Sequence, residues 1–337
     1  MRVFARGFRL ACDRIALVDD RAAAAVPVSG QPILPRRSRT TGERHCSAVP
    51  APCLQLPAPG TYQQEWRHRV SRVIAVCNQK GGVGKTTVAV GLAEVYALHE
   101  GKKVLLIDAD PQRNATSALA VTDPEFTLND VIYGDPDNNF RVPAGAAADA
   151  ITEAGEAWQI GKAAPHVIAA ERHLAARERD QMLAREFRLR SALSGVSELY
   201  DIVIIDAPPS LGMLTVNALT AADWSILVTE PRASSFEGIG EIAKTMVEVS
   251  EAFNENLQVA GIVLNRLRRG LRDQENWALK IRNTYGDAVV EPSLPAREAF
   301  ALAHAEARPL MSYGRSANTS LEPMKLVARR IWEGSNS

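Results

Sequence analysis

The chain has 337 residues, with 39 Lys and Arg balanced by 39 Asp and Glu, so no global field draws it to nucleic acid and any such contact needs a local patch. Hydrophobic residues make up 46% and charged residues 23%, which is ordinary for one large α/β domain or one domain plus an appendage. No apolar run approaches the roughly 20 residues of a membrane span. Of the four cysteines, Cys12, Cys46, Cys53 and Cys77, none stands in a Cys-x-x-Cys pair. That excludes an obvious zinc site and a disulfide framework, and it points to a reducing cytoplasm.

Residues 1–69 differ from the rest. They hold seven prolines between Pro27 and Pro59, many arginines and no lysine, with no sustained helical or strand period. Arg2, Arg6 and Arg9 with Phe4, Phe8 and Leu10 have the flavour of a targeting peptide. Asp13, Asp19 and Asp20 interrupt it, and no long apolar stretch follows. The expectation is a disordered N-terminal extension, or a start assigned too far upstream, with the true chain opening near Val70.

From Arg72 the pattern becomes α/β. Val73-Ile74-Ala75-Val76-Cys77 reads as a buried parallel strand. Lys80-Gly81-Gly82-Val83-Gly84-Lys85-Thr86-Thr87 follows, and Val88 to His99 has helical spacing at Leu92, Val95 and Tyr96. Strand, glycine loop and helix in that order are the parts of a phosphate-binding loop. Glycines let backbone N–H groups turn inward, and the helix N-terminus adds positive dipole. Lys85 is placed for the β- and γ-phosphates and the Thr86 hydroxyl for Mg²⁺. The usual pattern has a glycine where Gln79 stands, and a second lysine, Lys80, opens the run. The octapeptide resembles the deviant Walker A motif of the ParA/MinD family of partition and positioning ATPases. That resemblance implies that Lys80 reaches across a nucleotide-sandwich dimer to the partner's phosphates.

Val104 to Ile107 is the next strand, ending at Asp108-Ala109-Asp110-Pro111-Gln112. Carboxylates at the carboxyl edge of a parallel sheet lie where open α/β folds bind ligands, and they also serve there as helix N-caps. With Asn114-Ala115-Thr116-Ser117 behind it, the segment is similar to the ParA switch. The resemblance gives Asp110 the role of handling the attacking water and leaves Asp108 structural or behind the magnesium. Thr127 to Tyr133 reads as a short helix capped by Thr127, residues 134–165 as surface loops and short helices, and His166 to Ile168 as a strand. Residues 169–196 read as two charged helices.

Tyr200 to Ser210 carries four consecutive β-branched apolar residues and then Asp206-Ala207-Pro208-Pro209. A carboxylate closing a central strand downstream of a phosphate loop is the Walker B arrangement, a magnesium ligand that usually acts through water. The Asp-x-Pro-Pro-Ser run again resembles ParA. Iron proteins of the nitrogenase type share the loop but need cluster cysteines, and none follows Cys77. Strands follow at Ser225 to Thr229 and Val259 to Leu264, a helix from Glu237 to Phe253, and a closing helix from Glu322 to Trp332. By resemblance, Asn265 at a strand end and Pro295 in the loop Leu294-Pro295-Ala296-Arg297 hold the adenine ring. As residues alone they are a strand-end turn and a loop proline.

The expected fold is α/β, a doubly wound, mostly parallel P-loop domain over residues 70–337. The resemblance spans roughly residues 72–333. It implies ATP and Mg²⁺ as cofactors, ATP-dependent homodimerisation, slow partner-stimulated hydrolysis, a ParB-like centromere-binding partner, and a cytoplasmic, nucleoid-associated place in segregating plasmid or chromosomal DNA. No paired helices suited to operator reading occur in the extension. Non-specific DNA binding is expected through Arg266, Arg268, Arg269 and Arg272, with Arg297, and their alternative is a solvated arginine face. A MinD-like membrane-associated ATPase is the other reading, resting on the basic, amphipathic closing helix with Lys325, Arg329 and Arg330.

Overall fold

The computed structural model describes residues 71–334; the expected extension, residues 1–69, lies outside them. Eight strands form one sheet: β1 (Arg72–Cys77), β2 (Val104–Asp108), β3 (Ile151–Glu153), β4 (His166–Ile168), β5 (Ile202–Asp206), β6 (Trp224–Thr229), β7 (Gln258–Leu264) and β8 (Val289–Val290). Their order is β3-β4-β2-β5-β1-β6-β7-β8. Every pairing is parallel except β3 with β4. Buried on both faces, the central strands need apolar residues at every position, which is why they read as continuous runs.

Alternation along β1 assigns the two cores. Val73, Ala75 and Cys77 point to one face with Leu105, Ile107, Val203 and Ile205. Ile74 and Val76 point to the other with Leu106, Ile202 and Ile204. The second face is covered by α1 (Lys85–Glu94), α2 (Asn114–Ala118), α8 (Glu298–Ala305) and α9 (Asn318–Gly334). The first is covered by α3 (Leu128–Tyr133), α4 (Arg188–Leu193), α5 (Met213–Ala221), α6 (Ala233–Ala252) and α7 (Arg272–Tyr285). From β1 the chain steps over β5 to reach β2, and later returns past β1 to lay down β6. The reversal opens a crevice at the carboxyl end of β1, the position at which such sheets bind ligands.

Several expectations shift here. The helix after the glycine loop begins at Lys85, and its last stretch, Val95–Glu100, widens to π-helical turns before Gly101 ends it at φ 80. The two charged helices of residues 169–196 are instead short 3₁₀ turns, Arg172–Arg179 and Arg185–Phe187, followed by α4. The first turn buries only Leu174, too narrow an apolar stripe to hold a full helix on the sheet. Strands β3 and β8 and helices α2, α5, α7 and α8 were not anticipated from the sequence. Thr127 caps α3 reciprocally with Asp130, as its position suggested.

The closing helix α9 starts four residues before the expected Glu322 and packs its apolar side inward. Leu321, Met324, Val327, Ala328 and Ile331 are all buried. Tyr96 Oη donates to the Ala328 carbonyl at 2.7 Å, and the Arg72 guanidinium stacks 3.6 Å from the Trp332 ring centroid. Gly91 makes room for Met324, whose methyl lies where a Cβ would stand. The face on which the membrane reading relied is therefore core. Among the described residues no helix is long and apolar enough to cross a membrane.

Candidate active site

The glycine loop leaves β1 through Asn78, whose amide spans the first turn. Its Nδ2 donates to the Val228 carbonyl at 2.6 Å, and its Oδ1 accepts from Lys80 N at 3.0 Å. Gly82 and Gly84 sit at φ 79 and 86, where a side chain is strained, and a Cβ on Gly84 would overlap the Asn265 amide. Gly81, Gly82, Val83 and Gly84 thus form the turn, and Lys85, Thr86 and Thr87 open α1 with its unpaired N–H groups facing the crevice. Asn265 Nδ2 donates to Val83 O at 2.9 Å. Pro295 lies alongside, since Leu267 N donates to Leu294 O at 3.0 Å and Ala296 N to Leu267 O at 3.1 Å. The strand end and the proline loop expected to share the base are therefore neighbours.

Lys85 is only 6% exposed. Burial lowers its pKa, and Asp206 and Asp110 pull it back up. Asp206 and Asp108 face each other in register at the ends of β5 and β2, both fully buried. Asp108 is fully occupied: Thr116 N and Thr116 Oγ1 each donate to Oδ2 at 2.7 Å, and Asp110 N donates to Oδ1 at 3.1 Å. Thr116 Oγ1 in turn accepts from Ala170 N at 2.9 Å, tying the switch to the end of β4. Asp110 accepts from Gln112 N at 2.9 Å. The chain then enters α2 through Arg113 at φ 62.

Asp206 is the contrast. Neither carboxylate oxygen has a hydrogen-bond partner among the described residues. Burial first, and then the Asp108 charge, push its pKa well above the carboxylate range, while Thr86 and Lys85 pull it down. The Thr86 hydroxyl lies beside it without closing a hydrogen bond. Two carboxylates, Asp206 and Asp110, crowd Lys85, and Asp206 has both oxygens bare. A divalent cation would supply countercharge there, and Thr86 and Asp206 are the oxygen donors that would fit Mg²⁺. Among the described residues no three His, Cys, Asp or Glu side chains cage a metal by themselves.

Folding raises the Asp108 pKa from 3.8 to about 6, chiefly by burial, with the Thr116 bonds opposing. A carboxyl so raised gives the folded state stability that is full below pH 4 and lost as pH climbs through 6. In Asp108→Asn that slope is expected to vanish while stability at pH 7.5 falls by about 1–3 kcal/mol, because the amide NH₂ then faces either the Asp110 N–H or the two Thr116 donors. Urea midpoints of both proteins at pH 4.5 and 7.5 check it: a gap between the two that does not change with pH contradicts the assignment.

At the outer lip, Lys80 Nζ donates to Ser234 Oγ at 2.5 Å on the first turn of α6. The arginines divide into two groups. Arg268, Arg269, Arg272 and Arg297 are exposed and make no ion pair among the described residues. Arg266 turns back: its Nη1 donates to Gly82 O and lies 3.2 Å from Glu230 Oε1. Sequence reasoning missed Asn78, Glu230 and Ser234, and it placed Thr116 in the switch run without foreseeing its bonds to Asp108. Asn78, a lone amide closing an apolar strand, was the one with a local signal.

A glycine loop between β1 and α1 at the sheet's switch point, a buried lysine and an unpartnered strand-end carboxylate define a P-loop nucleoside triphosphatase. A family model described as an AAA domain matches residues 71–259. The sporulation initiation inhibitor protein Soj of Bacillus subtilis is 33% identical over 266 residues, covering 77% of this chain and 99% of its own. The chromosome partitioning protein ParA of Caulobacter vibrioides is 34% identical over 266 residues, covering 77% and 94%. Cobyrinic acid a,c-diamide synthase from Mycobacterium smegmatis, solved with ADP and magnesium, is 30% identical with a TM-score of 0.59, over 70% of this chain and 91% of that one. The chain belongs to the ParA/Soj family of partition ATPases, within the deviant Walker A group of P-loop proteins.

Proposed function

We propose that this chain is a Mg–ATP-dependent partition ATPase that dimerises with two nucleotides sandwiched between its subunits. The dimer binds DNA without sequence preference and moves plasmid or chromosomal DNA in the cytoplasm with a ParB-like centromere-binding partner. The observation that carries this reading is Lys80. It stands at the exposed lip of the phosphate loop, held by one serine hydroxyl and by no carboxylate among the described residues, so it is free to change partners. The names of its relatives, chromosome partitioning proteins, point the same way.

Each residue then has a task. Backbone N–H groups of residues 81–86 receive the phosphates, Lys85 neutralises charge between the β and γ positions, and Thr86 and Asp206 hold Mg²⁺. Bound there, the ion neutralises charge that builds on the phosphate oxygens. Asp110 orients the attacking water, and Lys80 of each subunit serves the other's site. Asn265 and Pro295 border the base. Hydrolysis is slow until the partner protein completes the site. The same sheet edge presents Arg268, Arg269, Arg272 and Arg297 to DNA, because α7 starts at Arg272 and the Arg297 loop runs beside Leu267.

Neutral overall, a single chain is a poor DNA ligand, and dimerisation doubles the patch. Each phosphate neutralised adds about 0.9 to the slope of log K against log salt, so two or three arginines per subunit give roughly −4 to −5 for the dimer. A salt titration with random-sequence DNA, in ATP and in ADP, tests this. Binding that ignores the nucleotide, or that survives Arg268→Glu/Arg269→Glu undiminished, overturns the DNA face.

A further inference from the structure

Two consecutive residues at the end of β7 grip two consecutive carbonyls of the phosphate loop. Asn265 Nδ2 donates to Val83 O, and Arg266 Nη1 donates to Gly82 O. Arg266 is itself held, its Nη1 lying 3.2 Å from Glu230 Oε1. Glu230 has only 10% of its side chain exposed, and its other oxygen takes Arg232 Nε at 2.9 Å. The backbone of Arg266 is at φ 56. A side chain accepts that conformation only where its surroundings over-determine it, and here the result is to fold the guanidinium back over the loop.

The consequence follows from peptide geometry. In a trans peptide the carbonyl oxygen and the following N–H lie in one plane and point in opposite directions. With Gly82 O held by Arg266, Val83 N–H is fixed pointing away from that contact, and with Val83 O held by Asn265, so is Gly84 N–H. Those are the donors a phosphate loop offers its anion. Glycine at 82 and 84 leaves the torsions on either side of these peptides loose, so an unheld plane would rotate and withdraw its N–H.

We propose that Arg266, anchored by Glu230, is a positioning residue that locks the Gly82–Val83 peptide with its N–H turned toward the phosphates. This rests on the reading that the loop binds a nucleoside triphosphate. It also separates Arg266 from the four arginines assigned to DNA, since its guanidinium is committed to the loop.

The test uses the full chain, with fluorescent mant-ATP and Mg²⁺ as the probe, in Arg266→Ala, Arg266→Lys and Glu230→Gln. In Arg266→Ala the dissociation constant is expected to rise about tenfold, the loss from one charge-assisted bond at a half-exposed site. KM for ATP rises with it while kcat changes less than threefold, and the apo melting temperature stays within a degree or two of the parent. Arg266→Lys recovers part of the affinity by reaching one of the two acceptors. Glu230→Gln falls between parent and Arg266→Ala, and it carries the test if the alanine variant does not fold. Parental mant-ATP binding in Arg266→Ala, or in a folded Glu230→Gln, overturns the inference. So does an Arg266→Ala protein whose DNA salt slope drops at saturating ATP while its nucleotide affinity is unchanged. Failure of the parent itself to bind mant-ATP overturns the proposed function along with it, so the two failures are distinguishable.

Discussion

Lys85→Ala is expected to lose nucleotide binding by about 10²- to 10⁴-fold while remaining folded. The magnitude is that of two charge-assisted hydrogen bonds to phosphate, each worth about 1.5–3 kcal/mol. No other cation substitutes. Lys80 lies on the outer lip against Ser234, and Arg266 is engaged with Glu230 and the Gly82 carbonyl. In the free protein Lys85 is buried among carboxylates that raise its pKa against the burial cost. Its removal therefore lets Asp206 take up a proton instead of leaving an unpaired charge in the core. Isothermal titration with ATP and Mg²⁺ measures the loss; affinity within tenfold of the parent contradicts the assignment.

Asp110→Ala is expected to keep ATP affinity within a few-fold and to lose turnover by about 10²-fold or more, the contribution of a positioned base or water-orienting group. The neighbouring carboxylates explain why the effect separates in this way. Asp108 is saturated by Thr116 and Asp110 N–H donors, and Asp206 is the bare pair of oxygens beside Thr86 that fits the metal. Asp110, by contrast, spends one oxygen on Gln112 N and keeps the other for a ligand. A single-turnover phosphate-release assay distinguishes the roles. A variant that hydrolyses at the parental rate contradicts the switch assignment, and one that fails to bind ATP moves Asp110 to the metal.

Much of the site was legible because its signals are local. Val73 to Cys77, the glycine run and the start of the helix occupy one stretch of chain, and burial on both faces makes β1, β2 and β5 read as unbroken apolar runs. Asp206 could be found because a single carboxylate closes such a run. What escaped is held by contacts far apart in sequence. Glu230 meets Arg266 across 36 residues, and Lys80 meets Ser234 across 154; neither partner stands in a pattern of its own. Helix α7 escaped because its buried side is narrow, Gln274, Ala278, Ile281 and Tyr285 amid charged neighbours. The arginines were read as one cluster since spacing alone cannot show that Arg266, at φ 56, reaches back to Gly82 O and Glu230. Basic and apolar positions in the last helix could not separate a membrane face from a core face. Tyr96, Gly91 and Met324 decide it by packing.

The central claim is an ATP-dependent dimer in which Lys80 serves the partner's site, and light scattering on the full chain tests it most directly. With ATP and Mg²⁺ the parent is expected to show twice the mass it shows with ADP. Lys80→Ala is expected to stay at the single-chain mass with ATP while still binding the nucleotide. A parent whose mass does not respond to ATP, or a Lys80→Ala protein that doubles its mass as the parent does, would contradict the account.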